Sequence, residues 1–278
     1  MMTLVYIELQ KMFKKWRTYI GIIAIGLLTV IIQVSLYFTG KEIINHQMRG
    51  IEESFLMVGN LFNGYFISRM ILTLLVIHIP FLVVLVGGDL LAGEATAGTY
   101  RMLLTRPVSR LQVITAKFIS GFIYVVVLIF WMAFISLGVS LIIFGSGPLL
   151  SVGSGIIIFA ENDIMWRFLC AYGYAIISMT TVIFISIIFS SLVQNAIGPI
   201  VSTMAVIIVF LILSAIPVDF LQGLKPYLFT SHLGQWNNFF SDEIDYKEVF
   251  ESAGILLAHI AVLYAVTAYI FIKKDILS

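Results

Sequence analysis

Long apolar stretches alternate with short charged ones along this chain. Five runs carry no charged residue: Thr18–Gly40 (23 residues), Met70–Gly88 (19), Phe118–Ala160 (43), Phe168–Val218 (51) and Ser252–Ile272 (21). A helix crosses the hydrocarbon core in about 20 residues, so the first, second and last runs hold one span each. The longest holds two, turning near Gln194-Asn195 and Gly198-Pro199. The 43-residue run reads as one long span, Phe118–Phe144, followed by the Gly/Ser-rich stretch Gly145–Gly155; Ile156–Ala160 is too short to cross. The pattern predicts an all-α membrane protein, a single domain over 1–278, with six transmembrane helices at 18–40, 66–88, 113–144, 168–192, 197–217 and 252–272.

Ahead of the first span, Val5, Leu9, Met12, Phe13 and Trp16 form an apolar face and Glu8, Lys11, Lys14 and Lys15 a polar one. Residues 1–17 therefore read as an amphipathic helix lying at the interface. A cleaved signal peptide fits less well, given the long charged start and no Ala-x-Ala-like site after the apolar run.

Between spans two and three, residues 89–112 hold small, basic and apolar residues at helical spacing. Ala97, Tyr100 and Leu104 share a face, with Leu103 beside them and Arg101 turned away. A short helix here would lie along the membrane until Pro107 stops it. Ser109 with Gln112 is a capping box for the next helix. The same pattern also fits an ordinary basic loop.

Composition agrees with the spans: 60% of residues are hydrophobic and 11% charged, against roughly 25% charged in soluble domains. The net charge of +1 gives no field for nucleic acid. Cys170 is the one cysteine, so the chain has no internal disulfide. Six spans put the N-terminus, Asp89–Lys117, the Gln194 turn and the C-terminus on one side, with ten basic and four acidic residues, net +6. The opposite side has six basic and eleven acidic residues, net −5. The first side is expected to be cytoplasmic. The outer loop 217–251 carries Phe220, Tyr227, Phe229, Trp236, Phe239 and Phe240 before the acidic run Asp242–Glu251. Those rings read either as a partly re-entrant cap or as an interfacial belt.

Chemistry of its own is hard to find. Gly40-Lys41-Glu42 lacks the glycine and hydroxyl of a phosphate-binding loop. The four histidines show no metal-ligand spacing. No carboxylate pair lies within a span, which argues against a proton-coupled carrier. His78 and His259 fall inside spans, either as functional groups or as hydrogen-bonding partners of a neighbouring helix. Pro80 should kink span two and free a carbonyl. Gln33, Asn195, Thr180, Thr181 and Ser186 read as interhelical glue.

The pattern Glu94-x-x-x-Gly98-Thr99-x-Arg101-x-Leu103-Leu104-x-Arg106-Pro107-Val108-Ser109-Arg110, with Lys117, resembles the cytoplasmic segment of ABC type-2 permeases. Glu8-Leu9-x-Lys11, Trp16-Arg17 and Phe271-x-Lys273-Lys274-Asp275 are similar to that family too. The resemblance implies a non-catalytic membrane subunit of an ATP-binding-cassette exporter, multi-pass in a bacterial or archaeal plasma membrane. It implies a second permease chain and two copies of an ATP-hydrolysing subunit. ATP and magnesium would sit on that partner, with no cofactor on this chain. Glu94, Gly98, Thr99, Arg101, Leu104, Arg106, Pro107 and Arg110 would couple to it. Glu94 and Arg101 would make polar docking contacts, Gly98 would allow close backbone approach and Pro107 would fix the bend. Ser191–Ala196 would be a second contact, and spans one, two and five would line the path. The alternative is a permease-like subunit that transmits motion to an extracytoplasmic partner without moving solute.

Overall fold

The computed structural model describes residues 1–52, 62–98, 108–152, 156–217 and 222–273. Helix α1 (Met2–Phe13) turns at Lys14–Lys15 into α2 (Trp16–Glu52). The latter runs past the expected end at Gly40, because no proline interrupts it, so the outer loop begins as helix. The second expected span is two helices, α3 (Gly64–Val76) and α4 (Ile79–Gly87), followed by α5 (Asp89–Thr96).

The break between α3 and α4 falls where Pro80 predicts it. Proline occupies the first turn of α4, where its missing N–H costs nothing. The His78 N–H bonds to Leu75 O at 2.8 Å. Leu74 O instead pairs with the His78 ring through Nδ1 at 2.9 Å. A carbonyl only accepts, so Nδ1 carries the proton. His259 likewise pairs through Nδ1 with Ile255 O of its own helix, at 2.8 Å. Among the described residues, neither histidine bonds a neighbouring helix; each closes on a carbonyl four residues earlier in the chain.

Span three comprises α6 (Arg110–Ala133), a π-helical turn (Phe134–Val139) and α7 (Ser140–Phe144). A π turn leaves carbonyls without their usual donors, and neighbouring helices supply them. Gln33 Nε2 donates to Ile135 O and Ser140 Oγ, both at 2.9 Å. Ser68 Oγ donates to Ser136 O at 2.7 Å. Gln33 is thus the interhelical bond expected of it.

A short antiparallel hairpin follows, β1 (Leu149–Val152) and β2 (Ile156–Phe159), with Leu149 opposite Phe159. It departs from the all-helical expectation. The triple isoleucine after Gly153-Ser154-Gly155 was the available strand signal.

The last spans are α8 (Met165–Leu192), α9 (Ile197–Ala215) and α11 (Tyr246–Lys273), with the one-turn α10 (Phe229–His232) before α11. Helix α8 is the axis of the bundle, packing against α4, α5, α6, α9 and α11. Of its apolar stretch 72% is buried, against 22% for α2 and 17% for α9. Hydropathy does not separate these helices, since lipid is as apolar as leucine; small side chains do. Ala171, Ala175, Ser178, Ser186 and Ser190 line α8 and are buried.

In the stretch before α11, Phe229, Trp236, Phe239 and Phe240 are buried within the protein, while Tyr227 is widely exposed; Phe220 lies outside the described residues. The rings pack inward instead of forming an outward-facing belt. Arg167 ties this region together. It donates to Asp163 Oδ2 and to the carbonyls of Phe239 and Ser241, and stacks over the Phe159 ring at 4.3 Å. The acidic run starts α11. Asp245 Oδ1 accepts from the Glu248 N–H at 2.9 Å, and Glu248 lies in the first turn, where the helix dipole favours negative charge.

Candidate functional site

Helix α5, the described first part of segment 89–112, lies beside α1 and is anchored by charge. Glu8 and Glu94 are buried, as is Lys117 on α6. Lys117 Nζ donates to Glu8 Oε2 at 2.7 Å and to Leu90 O at 2.8 Å, and lies 3.0 Å from Glu94 Oε1. Lys11 Nζ donates to Glu8 Oε1 and Glu94 Oε1, both at 2.9 Å. Two carboxylates and two ammoniums thus share one neutral cluster. Three separate elements, α1, α5 and α6, meet in it. Buried charges persist only when paired in this way. Beside it, Asp89 accepts from Lys15 at 2.6 Å and Arg17 at 3.1 Å.

Serine holds the other side of α5. Ser190 Oγ on α8 donates to Gly88 O at 2.6 Å and accepts from the N–H groups of Leu91, 3.1 Å, and Ala92, 2.8 Å. The start of α5 is therefore capped by a different helix. Thr96 Oγ1 donates to Gln194 O at 2.8 Å, linking α5 to the turn before α9.

Several expected roles change. Glu94 faces α1 and α6, not outward, because burial beside Lys117 and Lys11 satisfies its charge; it is not an exposed docking group. On the polar face of α1, Glu8 is buried and Lys11 half-buried, both turned toward α5 and α6 for the same reason. Trp16 leaves the apolar face of α1, which ends at Phe13, and stands 74% exposed. Gly98 ends α5 with φ +66. A Cβ there would meet nothing within 4 Å of this chain, and the positive φ is one that glycine adopts without strain. Beyond Gly98, the helix expected from Ala97 to Leu104 lies outside the described residues. Thr99, Arg101, Leu104, Arg106 and Pro107 lie outside the described residues.

Arg110 donates to Ile272 O at 2.9 Å, joining α6 to the end of α11. The capping box forms as expected: Ser109 Oγ accepts from Gln112 N–H at 3.2 Å, and Gln112 Oε1 from Ser109 N–H at 3.1 Å. Among the described residues, no group of His, Cys, Asp or Glu is arranged to hold a metal ion.

The ABC-2 family transporter protein profile matches residues 2–276. The chain belongs to the ABC-2 transporter family. Comparison with curated proteins gives no match. As an ABC-2 permease it is the membrane subunit of an ABC transporter, and membership implies an ATP-binding partner. What sequence reasoning missed in this permease is the pairing itself. Its signal was Lys117, a cation at the edge of an apolar run, which demands a buried acid; Glu8 read only as part of a polar helix face and Glu94 as a docking contact.

Proposed function

We propose that this permease couples ATP hydrolysis on separate nucleotide-binding subunits to export of a substrate, working as one half of a membrane dimer. Segment 89–112 would face the cytoplasm and seat in a groove of the partner through Arg101, Arg106 and the bend at Pro107. The observation that carries the reading is the cluster Glu8, Lys11, Glu94 and Lys117. It joins the base of that segment to α1 and α6, so a push on the segment would move span three and the surface helix together. The outward-facing apolar sides of α2 and α9 support a path and dimer contact along spans one and five. The test uses the permease reconstituted with its ATPase. Arg101→Glu with Arg106→Glu is expected to abolish co-purification and ATPase stimulation. Lys117→Met should keep the partner bound while reducing substrate-dependent ATPase. Retained stimulation in both variants would rule the coupling role out.

A further inference from the structure

The elbow between α1 and α2 holds more positive charge than the anchoring cluster uses. Within the cluster, Glu8 and Glu94 neutralise Lys11 and Lys117. Next to it, Lys15 and Arg17 share one carboxylate, Asp89, and Lys14 stands beside them in the chain. Lys14 is exposed and makes no ion pair among the described residues. Lys15 and Arg17 each commit one donor to Asp89 and keep others.

These cations line a cleft of about 380 Å³ together with the apolar Met12, Val86 and Leu90 and with Glu8, Lys11 and Glu94 of the cluster. A second hollow of about 540 Å³ shares Lys15, Arg17 and Asp89 and opens past Trp16 and Ile197. Both of those apolar side chains are widely exposed, Ile197 at 68%. The positive end of the α2 dipole lies at the same elbow. Cations, an apolar floor and an apolar doorway sit together where an apolar span begins.

We infer that this elbow is a binding site for an anionic phospholipid. Its phosphate would take the free donors of Lys14, Lys15 and Arg17, and its first acyl carbons would lie on the Met12, Val86 and Leu90 floor. The shared chemistry is a phosphate monoanion or diester. The apolar floor and doorway favour the lipid over a soluble phosphate, which would leave them unfilled. Basic pockets beside spans are the form such recognition takes elsewhere. Asp89 competes with the phosphate for the same two cations, so lipid and carboxylate would exchange partners. Nothing in this inference requires the ATPase.

The full chain purified in mild detergent provides the test, by native mass spectrometry and thermal unfolding against added short-chain phosphatidylglycerol, phosphatidylcholine of the same chain length, or glycerol phosphate. Phosphatidylglycerol should be retained and raise the unfolding temperature; the other two should not. Lys14→Gln touches no described ion pair, so its fold should be intact; its affinity should fall about fivefold, the loss of one cation near a surface. Asp89→Asn should bind more tightly than wild type. Equal retention of both lipids, displacement of lipid by glycerol phosphate, or unchanged affinity in Lys14→Gln would each overturn the assignment.

Discussion

Lys117 has three N–H donors and three acceptors around it: two carboxylates and the Leu90 carbonyl. Removing its charge leaves Glu8 and Glu94 buried against Lys11 alone. Lys117→Met is expected to cost roughly 3–5 kcal/mol, the usual penalty for orphaning one side of a buried pair. Adding Glu94→Gln should recover part of it; thermal unfolding of the single and double variants measures both. Burial works to lower the pKa of Lys11, but hydrogen bonds and the charges of Glu94 and Glu8 outweigh this and hold it above the ordinary 10.5. A raised folded value means the pairing contributes fully below about 10.5 and is lost as pH climbs through the folded value. Unfolding temperature should therefore stay level near neutrality and fall in alkaline buffer, with a shallower fall in Lys11→Met.

Two glycines set how elements meet. A Cβ on Gly64 would stand 2.7 Å from backbone atoms of Leu141 and from Ser140 O. Gly64→Ala should therefore force α3 off α7, at roughly 1–3 kcal/mol. Gly98→Ala has free space but the wrong backbone angle, and about 1 kcal/mol of strain is expected. Faster amide exchange across α5, with the bundle's exchange unchanged, would show that the strain stays local. The six spans, the Pro80 break and the Ser109–Gln112 cap were legible in the sequence because each depends on residues close together in the chain. The hairpin, the inward rings and the facing of Glu94 were not. They depend on partners such as Arg167 and Lys117, which hydropathy and helical spacing do not bring together. Small-residue content would have singled out α8 as the axis, a pattern that Thr180, Thr181 and Ser186 already hinted at. Of these, Thr180 and Thr181 bond their own helix, and Ser186 alone reaches across, to Val84 O at 3.2 Å.

For the molecule as a whole, sidedness follows from charge bias and can be measured directly. With Cys170 replaced by serine, Gln10→Cys and Glu243→Cys place single thiols at exposed sites at opposite ends. A membrane-impermeant maleimide on intact cells should modify Glu243→Cys and spare Gln10→Cys; the reverse result would invert the orientation. The anchoring cluster also sets an order of events at the ribosome. Glu8 is made before its buried partner Lys117, which lies 109 positions downstream. The leading helix must therefore wait, its acid still hydrated, until the third span has entered the bilayer. Nascent chains halted before that span should leave their first helix open to protease, and slightly longer ones should protect it.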